Sequence, residues 1–291
     1  MRGCAWAAVL IGAGLSKILC SQFGLRPGAW LPLTETALLG LMALFVARRY
    51  PTKNCAGFIL AIAASEFAWL IAVPRIEAAT FIRSVSEHLG WGGQFFLSRV
   101  IRTVGAILMG LTLLGSGTTR RELFLCVGDL RTPVQPESFL SFSWRISWAR
   151  FALLLILAFG ILLTIFYFWT SHPQIGRLHQ ILPVLPWAIA TSAVNAANEE
   201  FQFRSVLLAR LRTVVHWKEA MLLVAVLFGL GHYFGQPSGS AGAIIAGIAG
   251  WILAKSMIET RGFTCAFLIH FVADFVIFAF LMMSGVSFPK G

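Results

Sequence analysis

Long apolar runs separated by short polar or basic stretches make up most of the chain. Runs near the about 20 residues that cross a hydrocarbon core fall at 4–19, 30–47, 56–74, 100–116, 151–170, 180–199, 219–235, 240–258 and 264–284. They predict an all-α fold: a polytopic integral membrane protein of about eight to nine transmembrane helices. The first run is the weakest. It is short, carries Lys17, and follows Arg2 like the basic start of a secretory signal. Without a clear small-x-small cleavage site ahead of a soluble domain, it reads as a retained span.

The runs are interrupted most strongly between about 117 and 150, where Arg120, Arg121, Glu122, Asp129, Arg131, Pro133 and Pro136 cluster. This divides the chain into N-terminal transmembrane helices (1–118), a polar, interfacial connector (119–150) and C-terminal helices (151–291). Trp144 and Trp148, one helical turn apart beside Arg145, suggest an amphipathic segment lying at the interface before the next span. Gly239, Gly242, Gly247 and Gly250, with Ala243, Ala246 and Ala249, form a small-residue surface on which a neighbouring helix can approach closely.

Composition agrees with the pattern: 58% of residues are hydrophobic, only 12% are charged, and the mean hydropathy is +0.80. A net charge of +11 would suggest nucleic acid in a soluble protein, but here it follows the positive-inside rule. Arg2, then Arg48, Arg49 and Lys53, then Arg120, Arg121 and Arg131, then Arg210, Arg212 and Lys218, then Lys255 and Arg261 fall on alternate loops, expected to be cytoplasmic. The intervening connections carry only Arg26 and Arg177, apart from a 75–99 loop that holds Arg75, Arg83 and Arg99 and breaks the rule. No nucleic-acid-binding module is present. Cys4, Cys20, Cys55, Cys126 and Cys265 lack paired short spacing and read as small hydrophobes. The absence of CxxC and of a glycine-rich phosphate loop argues against zinc-ribbon, redox and nucleotide-hydrolase functions.

Charge inside a bilayer costs roughly 2.5 to 3.5 kcal/mol per group on insertion scales, so acids there need a reason. Of twelve Asp and Glu, Glu35, Glu66, Glu199, Glu200 and Asp274 are the candidates in or at the edge of the apolar runs. Glu35 and Glu66 stand isolated and read as helix-packing or interface groups. Among the histidines only His232 and His270 lie within runs. Three patterns remain: Glu199-Glu200-x-x-x-Arg204, Phe228-x-x-x-His232 and His270-x-x-x-Asp274. Each spacing puts its residues on one helical face. Glu200 is expected to pair with Arg204, leaving Glu199 as a carboxylate suited to take a proton from water. Phe228 is expected to buttress His232, and His270 and Asp274 to project into a common cavity. Taken singly each pattern suits a packing contact; together, at a depth with few other polar groups, they read as one site.

In this order EExxxR, FxxxH and HxxxN/D resemble the motifs of the CPBP family of intramembrane glutamic endopeptidases, the CAAX-type and bacteriocin-processing or Abi family, over roughly 178–284. The resemblance implies a CPBP-type helical protease core. In it Glu199 and His232 would activate the attacking water, His270 and Asp274 would stabilise the oxyanion, and Glu200 and Arg204 would support the site. Where the prenyl-protein branch has HxxxN, this chain has Asp274. An ionised aspartate would repel an oxyanion, so Asp274 is either protonated or holds His270 as the actual donor; the second reading is favoured.

The expected activity is endopeptidase cleavage near the membrane-associated end of a substrate, with no metal and no cofactor. The substrate would be a membrane protein or a lipidated or leader peptide, met among membrane lipids, and the membrane a bacterial inner (plasma) membrane. A second enzymatic version makes His232, His270 and a carboxylate ligands of Zn²⁺, although HExxH is absent. From other classes come a proton- or cation-coupled transporter and a non-catalytic immunity or scaffold protein.

Overall fold

A backbone in hydrocarbon must satisfy its own N–H and C=O groups, so apolar runs of this length have to become helices. The computed structural model describes residues 1–28, 30–50, 53–137, 146–171, 181–235 and 237–284, and among them the secondary structure is helical with no strand. Trp144, Arg145 and Arg177 lie outside the described residues. The chain opens with α1 (Arg2–Gly12) and α2 (Leu15–Gln22), which meet at a 51° bend. Gly14 at the break has φ +69°, a left-handed conformation that glycine adopts without a side-chain penalty. Helices α3 (Leu31–Arg49) and α4 (Lys53–Phe67) form an antiparallel pair. α4 continues through a π-helical turn, Ala68–Ala72, into α5 (Val73–Ala78). Then come α6 (Thr80–Glu87), α7 (Trp91–Arg102) and α8 (Val104–Leu111).

After the connector, α9 (Trp148–Ser171) presents Leu153, Leu157, Ile161 and Ile165 outward, as a lipid-facing helix should. α10 (Ile181–Glu200) runs into a π-helical segment, Phe201–Val206, and on into α11 (Leu207–Leu211). α12 (Trp217–Gly231), α13 (Gly239–Thr260) and α14 (Thr264–Ser284) complete the bundle. α10 packs between α7 and α14, while α12 packs on α13 and α14 on α9. One buried apolar cluster joins the two ends of the chain: Ala5, Leu39, Phe58 and Ile62 pack with Leu207, Leu211, Met221 and Leu223.

Several expectations change. Among the described residues, six helices are long and apolar enough to cross a membrane, seven if α1 and α2 count as one bent span, where eight to nine were expected. α12 has fifteen residues, short of a full crossing. The run expected at 100–116 is a helix pair covering Trp91–Leu111, so Arg99 is a buried helical residue and not the loop charge that broke the positive-inside pattern. Glu35 and Glu66 are not isolated: Lys17 Nζ lies 3.4 Å from Glu35 and 3.1 Å from Glu66, and Ser16 donates to Glu35. Trp148 is not interfacial. It is fully buried, and its indole N–H donates to Glu259 at 2.8 Å.

The described part of the connector is pinned to the turn between α13 and α14. The Asp129 N–H donates to the Thr260 carbonyl and the Phe263 N–H to that of Cys126, both at 2.8 Å. Thr119 and Glu122 exchange backbone-to-side-chain hydrogen bonds three residues apart, in the manner of a capping box. Glu137 accepts from Lys255 at 2.8 Å and Lys218 at 3.3 Å, and Lys255 also pairs with Glu259. Burial alone would push the Glu137 carboxyl up, but the two ammonium groups outweigh it and hold the group below the usual glutamate value.

Candidate active site

Because the helix beginning at Ile181 continues to Leu211, Glu199 and Glu200 sit in the middle of a long rod and not at the end of a span. The π-helical segment starts at the next residue; such local widenings recur at functional sites, where they re-aim side chains. Glu200 and Arg204 are both completely buried, and Arg204 Nη1 lies 2.9 Å from Glu200 Oε1. The guanidinium is stacked 3.9 Å from the centre of the Phe228 ring. Gly250 on α13 gives this stack its room, since a Cβ there would lie 3.1 Å from Arg204 Nη2 and 3.2 Å from Phe228 Cδ1. The expected i, i+4 pair is therefore present, with an aromatic face added.

His270 projects from α14 into the three acids. Its Nδ1 lies 2.7 Å from Glu200 Oε1, a hydrogen bond, and its Nε2 lies 3.7 Å from Glu199 Oε2 and 3.6 Å from Asp274 Oδ1. The latter two are ion-pair distances, too long for hydrogen bonds. Glu200 makes the hydrogen bond to the imidazole, while Asp274 stands at ion-pair distance from the ring's other nitrogen. Two buried carboxylates cannot both sit within bonding distance of one ring nitrogen without repelling each other, and Nδ1 is already committed to Glu200. Asp274 instead accepts from Asn195 Nδ2 at 2.9 Å, and the same nitrogen donates to Glu199 Oε1 at 3.1 Å.

His232 caps the C-terminal end of α12, half-buried, with Nδ1 2.8 Å from the carbonyl of Phe228. A carbonyl only accepts, so Nδ1 carries the hydrogen and the neutral ring offers Nε2 as the acceptor. The ring lies 4.2 Å from that of Phe228, as the i, i+4 spacing predicts. Phe228 also stands edge-on to His270 at 6.1 Å. The two histidines thus flank a shared phenylalanine; the hydrogen bond described for His232 runs to Phe228 and not to the acids. The long α10 rod carries Glu199 to the level of His270 on α14.

Sequence reasoning missed four polar groups here. Asn195, Asn198 and Gln202 are buried on the α10 rod; Gln202 donates to Asn198 at 2.8 Å and accepts from Trp69 at 3.1 Å. Arg99 from α7 is stacked on Phe95 and Phe278, 5.0 and 5.1 Å from the ring centres, and brings positive charge to bear on Glu199 and Asp274. Asn195 lies one turn before Glu199, on the same helical face. Among the described residues no cluster of three or more His, Cys, Asp and Glu groups is arranged to hold a metal ion. A separate apolar cavity of about 910 Å³ lies between α12 and α13, floored by Gly229, Ala243 and Gly247 and reaching Lys218 and Lys255 at one end.

No curated protein and no solved structure gives a match. Residues 181–276, which carry every motif residue above, match the model of the family described as type II CAAX prenyl endopeptidase Rce1-like. This segment is similar to that protease family, and the chain carries it among helices long and apolar enough to cross a membrane, as an integral membrane protein does.

Proposed function

We propose that this protein is a glutamic-type intramembrane endopeptidase that hydrolyses a peptide bond near the membrane-associated end of a lipidated or transmembrane substrate. The observation that carries the reading is the convergence of Glu199, Asp274 and His270 within 3.7 Å in the membrane interior, braced by the Glu200–Arg204 pair. In this reading water attacks the carbonyl carbon while Glu199 takes its proton, with His232 accepting a hydrogen bond from the same water. His270, as the imidazolium, donates Nδ1–H to Glu200 and turns Nε2–H toward the developing oxyanion. Collapse of the tetrahedral intermediate breaks the C–N bond, and the proton held by Glu199 passes to the departing amine. A bacterial inner membrane is the setting that the short loops favour.

The test compares membranes containing wild type with membranes containing Glu199→Gln, by mass spectrometry of endogenous protein termini with and without chelator. We expect a terminus that forms only with wild type and survives chelation. Identical termini from both proteins would sink the protease reading in favour of a scaffold, immunity or transport role; loss of the terminus on chelation would move the mechanism to a metal.

A further inference from the structure

We propose that Asn195 is a positioning residue of the active site: its side-chain amide clamps Glu199 to Asp274 and so decides which glutamate oxygen acts as the base. The inference rests on the protease reading above. Asn195 lies one helical turn before Glu199, is only 4% exposed, and sits outside all three motifs. Its amide nitrogen has two hydrogens and is within bonding distance of two carboxylates, 3.1 Å from Glu199 Oε1 and 2.9 Å from Asp274 Oδ2. The reverse orientation would press the amide oxygen against two carboxylate oxygens, so the network fixes which way the group points.

A neutral double donor bridges the two acids: each amide hydrogen meets one carboxylate oxygen, which eases the repulsion between Glu199 and Asp274. With Oε1 occupied by Asn195, the other oxygen of Glu199 is the one left without a hydrogen bond among the described residues, and it is the oxygen on the His270 side. That singles out Oε2 as the proton acceptor. Asn195 Oδ1 is likewise buried with no hydrogen-bond partner among the described residues. An asparagine that served packing alone would have its acceptor satisfied; an open acceptor beside the base is one that a ligand group, water or peptide N–H, can fill. The arrangement also accounts for the departure at the last motif position. Where HxxxN would bring an amide on α14, this chain has its carboxylate there and its amide on α10.

The decisive experiment exchanges the two groups. Purified protein in proteoliposomes would be assayed on a fluorescence-quenched peptide with an S-prenylcysteine four residues from its free carboxyl end, comparing wild type, Glu199→Gln, Asn195→Ala, Asn195→Asp, Asp274→Asn and the double exchange Asn195→Asp/Asp274→Asn. Groups that orient a reacting residue typically contribute about 10- to 100-fold. We expect Asn195→Ala to lose activity on that scale in kcat with KM unchanged. We expect Asn195→Asp to fall further, and the double exchange to recover to within about tenfold of wild type. Recovery in the exchange shows that the loss in the single variants is not misfolding. Wild-type kcat in Asn195→Ala, or a double exchange no better than Asn195→Asp, overturns the inference while an inactive Glu199→Gln leaves the protease reading standing. Full turnover in Glu199→Gln overturns both.

Discussion

Arg204 shows how much of the site depends on one buried cation. It is fully buried, paired with Glu200 at 2.9 Å and stacked on Phe228. Removing one partner of such a pair strands the other charge, at a cost of about 3 to 5 kcal/mol. We therefore expect Arg204→Met to lose both thermal stability in detergent and activity, and the double variant Glu200→Gln/Arg204→Met to regain stability without regaining turnover. A double variant as unstable as the single one would show that stacking on Phe228, and not charge pairing, is what Arg204 contributes. Lysine is not an adequate replacement, because it keeps the charge but loses the planar group that stacks. Glu199, Glu200, Arg204, Phe228, His232, His270 and Asp274 were legible in the sequence because ionisable groups stand out in apolar runs and helical spacing aligns them. Asn195 and Gln202 were not: a neutral amide in such a run looks like ordinary helix packing. Their importance appears only once α14 and the π-helical turn that carries Trp69 are in place beside them.

At the scale of elements, the long apolar helices could be read from the sequence, and their boundaries less well. Hydropathy put a span at 100–116 where the helix pair begins at Trp91, because Arg99 and Arg102 lower the average while their guanidinium groups rest on aromatic rings. It ended another at 199, since the polar residues from Asn198 to Arg204 lower the average hydropathy there. The small-residue surface on α13 was read correctly in kind: a Cβ on Gly229 would lie 2.6 Å from the Ala243 carbonyl oxygen and 2.9 Å from the Gly247 backbone. Gly229→Val should push α12 from α13 and destabilise the protein by about 1 to 3 kcal/mol, seen as a lower unfolding midpoint. Gly250→Val, aimed at Arg204 and Phe228, should cost more activity than stability. Equal ratios of lost activity to lost stability in the two variants would count against a specific role for Gly250.

For the whole molecule, the connector and the N-terminal helices tie the family-matched segment into a larger frame. Glu137 titrates below the ordinary glutamate value of 4.5 in the folded protein because Lys255 and Lys218 outweigh its burial. A depressed carboxylate adds stability above its unfolded value, and that stability is lost as pH falls through the folded value. The unfolding midpoint of wild type should therefore drop below about pH 4.5 more steeply than that of Glu137→Gln, whose acid response lacks this term; parallel curves would refute it. The first helices also grip α12 at both ends. Arg2 and Trp6 hold Glu219 at 2.5 and 2.9 Å, and Gln22 donates to the hydroxyl of Tyr233, the residue after His232. The bent α1–α2 pair is thus a splint along the helix that carries Phe228 and His232. A disturbance of α1 or α2 is therefore handed on through Glu219 and Tyr233 to the helix beside the candidate site, so a change far from the acids in sequence acts close to them in space.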